Sequence, residues 1–517
     1  MIIPVLNSAQ ASAWDESART ESCIPGRVLM ESAGRAAARV IAATFRSELS
    51  QGVMIAAGHG NNGGDGWVVA RTLNAAGARV SVAETAKERS PDCEANRTLA
   101  RAEGVELIGG DMRWPGGGVV VDALLGTGAS GAVRGELAAL AGRVAEHPGP
   151  VVAIDGPTGL DLSTGEAHGP VRAHLTVTFG GPRRGHLLAR EWCGRIVVVD
   201  IGFPDPAVTL PTLFTDRDAA IVLPPFDVAM HKGDRGRVLV VGGDDGMAGA
   251  ALHAASAAFA AGAGLVKIAA AAKTADAAQS RLPDALSLVT DLGPECEDEL
   301  RDAIGWADAV VLGPGLGRSE ERQAFVQAVL SAAKCPTVID ADAILPGRSA
   351  KGEGRRVFTP HLGEFRSAFP ELAEEMTRDR FAVAEAAAEM FGSNSTTPPS
   401  HNPTVLLKGV PTLIAQHGYP LRVVATGNPA LATGGSGDLL AGFIGAYLAR
   451  GLADRDAAAL GAYTLGRGAE VAAEHHTVRA TRPADVLAAL PEVWRLLERG
   501  APVEPPILCE LPVPALI

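Results

Sequence analysis

Aromatic residues make up only 4 % of the 517-residue chain, which leaves no broad stacking surface for single-stranded nucleic acid. A positive charge balance is also missing: 46 Lys and Arg stand against 59 Asp and Glu, a formal net charge of −13. That balance argues against nucleic acid or an anionic membrane surface as partner, although a local basic pocket stays open. Cysteines are few and scattered, at Cys23, Cys93, Cys193, Cys296, Cys335 and Cys509. No CxxC pair occurs, which excludes a zinc knuckle and a thioredoxin motif, and reduced thiols in a cytoplasmic protein are expected. The first twenty residues, MIIPVLNSAQASAWDESART, show no basic region followed by an apolar one, so no secretory signal is expected. Met247–Val266 lacks Lys, Arg, Asp and Glu and approaches the ~20 residues of a membrane span. It is mostly Ala and Gly, carries His253 and Ser256 and is broken by Gly262 and Gly264, so it reads as a buried helix of a soluble α/β domain.

What is present is an ordinary globular balance, 47 % hydrophobic and 20 % charged, which excludes disorder as the main state. At roughly 100–200 residues per domain, the length predicts about two to four domains, with core enough to need no disulfide or metal staple. Short β-branched runs recur: Val119–Asp122, Val151–Asp155, Ile196–Asp200, Val238–Val241, Val310–Leu312, Thr337–Asp340 and Val405–Leu407. Such runs read as strands buried on both faces of a parallel sheet. The Ala-rich intervals 32–44, 248–261 and 381–391 are long enough for crossover helices. The expectation is an α/β architecture with ligands at the carboxyl ends of the strands. A proline-rich stretch near 205–232 marks a boundary, giving a first domain at 1–212 and a second at 213–498. Residues 392–403 read as a surface loop, and 499–517 as a Pro-rich tail, extended or disordered.

Residues 58–66, GHGNNGGDG, follow the apolar segment Val53–Ala57. Read as a loop before a helix at Trp67–Leu73, they would expose consecutive N–H groups as an anion cradle. Asp122 ends a strand before a second glycine-rich stretch, ALLGTGASG, and Asp155 ends the next in DGPTGLD. Asn62, Asp122 and the Asp155/Thr158 turn thus offer amide, carboxylate and hydroxyl oxygens, a set that suits K⁺, Na⁺ or Mg²⁺ rather than zinc. Helix capping is the plainer reading of these aspartates.

The first half resembles the YjeF N-terminal family, the NAD(P)H-hydrate epimerases, which are Rossmann-like. PVLNSAQ, LMESAG, GHGNNGGDG, VDALLGTG, DGPTGLDLSTG, TVTFG and VVDIGFP carry the resemblance, in the family's order. It implies that Asn61, Asn62, Gly63, Gly64 and Asp65 hold the hydrated dinucleotide together with Gly126, Thr127, Gly128, Ala129, Ser130, Gly131 and Ala132. It also implies Asp155 as a substrate contact and acid/base group, and Asn62, Asp122 and Thr158 as K⁺ ligands. This sequence departs from the family pattern at Ser32, at Gly156 and Thr158 in DGPTG, and at Arg183-Arg184-Gly185, where Lys-Pro-Gly is usual. The Thr keeps a hydroxyl; the Arg keeps charge but changes its geometry.

The most specific motif is GNPALATGGSGDLLAG, Gly427–Gly442. Gly434, Gly435 and Gly437 before a helix at Leu439–Leu448 form an anion hole suited to phosphate oxygens. Asp438 in the first turn is placed to take a proton from a substrate hydroxyl during phosphoryl transfer. Lys408-Gly409-Val410-Pro411-Thr412 puts a cation at a strand end; GPGLG (313–317), DADAI (340–344) and TPHLGEF (359–365) end other strands. HKGDRGRVLVVGG and DDGMAGA open the domain. His361 alone reads as a structural histidine.

This half resembles the YjeF C-terminal family, the ribokinase-like NAD(P)H-hydrate dehydratases, from about His231 to Pro491. The resemblance implies phosphorylation of the hydroxyl on the hydrated nicotinamide ring, with loss of phosphate restoring NAD(P)H. Lys408–Thr412 and Gly437 would bind the adenine nucleotide, Asp438 would be the base, and Ala250, Gly315, His361 and Asp438 would touch the hydrate. Mg²⁺ is implied here, K⁺ in the first half, and ADP as co-substrate, since bacterial fused forms resemble ADP users. Leu362 and Leu465 depart from the family's Pro and His. The expected partners are NADHX, NADPHX and ADP, with no nucleic acid and no membrane; monomer and homo-oligomer are both compatible. The alternatives are a ribokinase-like kinase of a small alcohol, disfavoured by KGD, GMAGA, GPGLG and TPHxGE together, and a first half that is a non-catalytic scaffold.

Overall fold

A strand can be apolar at every position only if both its faces are covered, and Val53–Ala57 is buried throughout. The computed structural model describes residues 2–109, 114, 116–392, 402–499 and 508–511. These fall into two units, 2–212 with 508–511, and 213–499.

In the first unit β1 (Val53–Ala57), β2 (Val80–Glu84), β3 (Glu106–Leu107), β4 (Val119–Ala123), β5 (Val151–Ile154), β6 (Leu175–Phe179) and β7 (Arg195–Val199) form one parallel sheet. In the second lie β8 (Thr212–Leu213), β9 (Arg237–Val241), β10 (Leu265–Ala270), β11 (Leu286–Val289), β12 (Ala309–Leu312) and β13 (Thr337–Ile339). β14 (Arg356–Phe358), β15 (Thr404–Leu407), β16 (Thr412–Gln416) and β17 (Arg422–Val424) complete that sheet. The last strand, β18 (Leu508–Leu511), pairs antiparallel with β7 at the edge of the first sheet. Part of the Pro-rich tail is therefore a paired strand; 500–507 and 512–517 lie outside the described residues, as does 393–401 of the loop read at 392–403.

The first sheet runs β18-β7-β6-β5-β4-β1-β2-β3 and the second β11-β10-β9-β12-β13-β14-β15-β16-β17-β8. In the first, strand order reverses between β1 and β4; in the second, between β9 and β12. Chains leaving such neighbours diverge and open a crevice at their carboxyl ends.

The Ala-rich intervals are helices: Gly26–Thr44, Ala248–Ala260 and Arg380–Gly392. The charge-free stretch from Met247 is a core helix, with Ala251, Ala254, Ala255, Ala257 and Ala258 buried. Its small residues let it approach the helix Ser436–Ala449 closely, since a Cβ on Gly442 would lie 2.1 Å from the Ala254 carbonyl oxygen. Phe443, Tyr447 and Tyr463 fill the core beside them, each contributing roughly 1.5–3 kcal/mol by burial. Tyr447 keeps its hydroxyl partnered, 2.8 Å from Thr464 Oγ1. Among the described residues no helix is long and apolar enough to cross a membrane.

Candidate functional site

Each switch point carries a site. In the first unit the chain leaves β1 through Gly58–Gly60 and enters the helix Asn61–Ala75 at once. The glycine stretch is thus not a loop up to Trp67, as its composition suggests. Gly63, Gly64 and Gly66 are helical and serve close packing. A Cβ at these positions would lie 2.0 Å from the Gly58 carbonyl oxygen, 2.6 Å from Met30 Sδ and 2.6 Å from Ala123 Cβ, respectively. Packing overrides the turn propensity of the composition, and it puts the first-turn amides of the helix at the crevice. Gly60, the N-cap, supplies no side-chain cap to them.

Asp122, at the end of β4, is fully buried. The Thr158 amide and hydroxyl donate to its two oxygens at 2.8 and 2.7 Å, and the Leu124 amide at 3.3 Å. Burial pushes its carboxyl up to about 6 against these bonds. Asn62, whose side chain with that of Asp155 crowds Gly126, has both polar atoms buried and unpartnered. A buried amide without partners costs about 1–3 kcal/mol unless something occupies it. An oxygen donor set of amide, hydroxyl and one carboxylate fits a monovalent hard cation.

Asp155 follows β5 with φ +63°, a left-handed conformation uncommon outside glycine and typical of functional strain. Its Oδ2 accepts from the Thr127 amide at 2.6 Å and hydroxyl at 2.5 Å. Its Oδ1 accepts from Arg183 Nη2 at 3.3 Å and Thr178 Oγ1 at 3.4 Å. Burial alone would raise this carboxyl, but the Arg183 guanidinium, the Thr127 bonds and the neighbouring His186 outweigh it and hold it below the usual range. Asp65 faces the same cleft without such help. Its burial, with the charges of Asp155 and Asp15, holds it well above the carboxylate range. His186 is pushed down to about 4 by burial, so it is neutral beneath Asp155.

The cleft is about 490 Å³, with Asn61, Asn62, Asp65 and Asp155 in its wall beside Gly126–Ala129. Gly63 and Gly64 lie behind the wall, and Ser130, Gly131 and Ala132 are not part of it. Ser32 faces a separate hollow with Arg35 and Arg39. Sequence reasoning left out Trp14, stacked on Phe203 at 4.5 Å in the cleft wall, and treated Arg183 only as a departure.

In the second unit, Ala250 and Gly315 meet at the β9/β12 switch point, where a Cβ on Gly315 would lie 3.1 Å from Ala250 Cβ. Three strands beyond β12, Lys408 at the end of β15 donates from Nζ to Asp340 Oδ1 at 2.9 Å and lies 3.7 Å from Glu364 Oε2. Thr359 Oγ1 also donates to Asp340 Oδ1, at 2.7 Å. Gly437 comes close because it has no side chain: its Cβ would lie 3.3 Å from Lys408 Nζ. Asp438 stands in the first turn of Ser436–Ala449, after Gly435 at φ +99°. Burial and the like charges of Asp340 and Glu364 push Asp438 up to about 7 against the pull of Lys408. Lys408, though buried, stays above its usual range because Asp340, Glu364 and Asp438 surround it.

His361 caps the helix Leu362–Ala368: its Nδ1 accepts from the Gly363 and Glu364 amides at 2.9 and 3.3 Å. Nε2 is then the protonated nitrogen, assigned from these bonds, and lies 3.3 Å from Glu364 Oε1. The residue is structural and also borders a cavity of about 430 Å³ with Arg318, Asp342 and Ser367. Asp340 and Glu364 lie within motifs visible in the sequence, DADAI and TPHLGEF, yet their convergence on Lys408 comes from strand order alone. Leu465 is buried in the core.

The family description NAD(P)H-hydrate dehydratase matches residues 238–492, and YjeF-related protein N-terminus matches 26–185. A bifunctional NAD(P)H-hydrate repair enzyme of Moorella thermoacetica is 34 % identical over 96 % of this chain and 97 % of its own length. One of Escherichia coli is 34 % identical over 90 % of this chain and 89 % of its own. A Bacillus subtilis ADP/ATP-dependent NAD(P)H-hydrate dehydratase, co-crystallized with ATP/Mg2+, is 29 % identical with a TM-score of 0.49, covering 56 % of this chain and 100 % of that one.

Proposed function

The chain belongs to the bifunctional NAD(P)H-hydrate repair enzymes, with an epimerase first and a dehydratase second, and from that premise we propose how its residues divide the work. In the first cleft the hydrated dinucleotide lies along the helix start Asn61–Asp65 and the turn Gly126–Ala129. Its hydroxyl-bearing carbon faces Asp155. Held ionised by Arg183 and Thr127, Asp155 accepts and returns the proton that moves while the R and S forms interconvert. Thr178 and Thr127 fix the orientation of its two oxygens. Asn62, Asp122 and Thr158 are the residues that would hold K⁺, which would supply a fixed positive charge beside the substrate. The unpartnered Asn62 amide supports this.

In the second unit ADP lies on Lys408–Thr412 and against Gly437, and NADHX or NADPHX lies at Ala250, Gly315 and His361. Asp438 takes the proton of the ring hydroxyl. That oxygen bonds to the terminal phosphorus as the bond to AMP breaks, with Lys408 and the amides around Gly437 facing the transferred charge. The C–O bond then breaks, phosphate leaves with the electron pair, and loss of a ring proton restores the reduced nicotinamide. Mg²⁺ arriving with the nucleotide would neutralise phosphate charge; Asp340 and Glu364 are themselves engaged by Lys408.

The observation that carries this reading is the placement of Asp438. It sits at a helix start, beside Lys408, with its acidity moved to near neutrality where a general base works best. The test is recovery of reduced-nicotinamide absorbance from an R/S mixture of hydrate with ADP, ATP or no nucleotide. Full recovery with ADP supports both sites and the donor. Recovery stopping at the S fraction removes the role given to Asp155, and no recovery removes that of Asp438.

A further inference from the structure

The turn that joins β15 to β16, Lys408–Pro411, has four backbone carbonyls, and all four are occupied from within the unit. The Gly409 carbonyl accepts from Thr412 Oγ1 at 3.2 Å. The other three go to one side chain, Arg380, the first residue of the helix Arg380–Gly392. Its Nη1 donates to Val410 O at 2.8 Å, and its Nη2 makes longer contacts with Lys408 O and Pro411 O, both 3.5 Å. The guanidinium presses so close that a Cβ on Gly409 would lie 2.2 Å from Nη2, with Gly409 itself at φ +152°. Asp379 fixes the start of this helix, accepting from the Phe381 and Ala382 amides at 2.9 and 3.1 Å. Among the described residues no carboxylate pairs with Arg380, and its Nε is buried without a partner.

A guanidinium lodged against carbonyls rather than a carboxylate keeps its charge uncompensated. Three carbonyl dipoles converging on one rigid fork also hold the turn in one shape. Lys cannot reproduce that, because a single ammonium cannot span three separated acceptors. The Lys408 ammonium is anchored separately, by Asp340.

We propose that Arg380 is a positioning residue for the nucleotide, clamping the Lys408–Pro411 turn from behind so that its opposite face is pre-shaped for the phosphates and sugar. The proposal rests on the reading that ADP lies on this turn. A pre-shaped turn lowers the ordering cost of binding and leaves the phosphoryl-transfer step alone. The signature is therefore a rise in KM for ADP with kcat preserved.

The experiment uses the full chain and ADP. For Arg380→Ala, KM for ADP and its calorimetric Kd are expected to rise by about tenfold or more, as loss of a charged hydrogen-bonding group would give. At saturating ADP, kcat should stay within about twofold of wild type, and KM for the hydrate should not move. Arg380→Lys, which keeps charge and most of the bulk, guards against a folding failure and is expected to recover only part of the loss. Added guanidinium at a non-denaturing concentration should tighten ADP binding by Arg380→Ala and not by wild type. Unchanged ADP affinity in both variants, or a fall in kcat at constant ADP affinity, would overturn the proposal. Lys408→Met separates the proposal from its premise. If it leaves ADP affinity intact, the nucleotide is not on this turn. If it weakens ADP while neither Arg380 variant does, only the clamp is wrong.

Discussion

Lys408 Nζ meets Asp340 Oδ1 at 2.9 Å, a buried ion pair whose members both bear electrostatically on Asp438, though 68 residues separate them in sequence. Removing one partner of such a pair leaves a buried charge uncompensated. Asp340→Asn is expected to destabilise the second unit by about 3 kcal/mol, softened by Glu364 as a second partner, and denaturant unfolding would measure it. It also removes the like charge that raises Asp438. The acid limb of the dehydratase rate should then move to lower pH than in wild type, and an unmoved limb would show that Asp340 does not face Asp438.

The two activities should separate by pH. Asp438 must be ionised to act as a base. Because burial and two neighbouring carboxylates hold it near 7, the dehydratase rate should rise with pH through about 7 and fall away below it. Asp155 is held in the opposite sense, so the epimerase should keep its rate to below about pH 4, where an ordinary carboxylate protonates. Measured on one preparation near pH 5, with K⁺ in excess to hold Asp122 ionised, R-to-S exchange should persist while S-hydrate dehydration has dropped roughly a hundredfold, the consequence of a base two pH units below its midpoint. Parallel acid limbs for the two reactions would contradict these assignments.

The strands were readable because apolar runs such as Val119–Val121 and Val310–Leu312 admit no exposed face, and that alternation with Ala-rich intervals already implies a parallel sheet. The motif glycines placed both crevices. What was not readable came from packing. Asn61–Gly66 looks like a turn by composition, and only the Gly58 carbonyl, Met30 and Ala123 pressed against it explain why it is a helix. The contacts of Arg183, Asp340, Glu364 and Arg380 were not readable even where a motif holds the residue, since each acts on a partner distant in sequence that the fold brings in. Leu508–Leu511 was hidden by its prolines, because an edge strand needs a neighbour, here β7, that lies some 300 residues earlier in the chain.

The cation reading turns on Thr158. Its hydroxyl and amide both serve Asp122, and its Oγ1 also accepts from the Leu125 amide at 3.1 Å. Thr158→Val keeps the shape and the amide bond but removes the hydroxyl. It should lower the epimerase rate by about tenfold or more and raise the K⁺ concentration needed for half activation, while Thr158→Ser keeps both near wild type. The dehydratase, in a separate unit, should not respond in either variant. Equal K⁺ dependence in wild type and Thr158→Val would remove Thr158 from the site.

Gly156, a departure from the family pattern, is accounted for by what fills its space. A Cβ there would lie 2.7 Å from both Leu162 methyl carbons and 3.0 Å from His186 Nε2. His186 is anchored from its other side, where Nδ1 accepts from the Arg183 amide at 3.0 Å, and Arg183 in turn holds Asp155. The glycine and the histidine are thus one packing unit beneath Asp155. Gly156→Ala should destabilise the first unit by about 1–3 kcal/mol, the usual cost of overpacking. It should also slow epimerisation, because the histidine can yield only by displacing Arg183. His186→Ala in the same chain opens the space. The double variant is therefore expected to be less destabilised than the sum of the two single changes, a coupling that a thermodynamic cycle reads directly. Additive losses would mean that Gly156 answers to Leu162 alone and that His186 plays no part in seating Asp155.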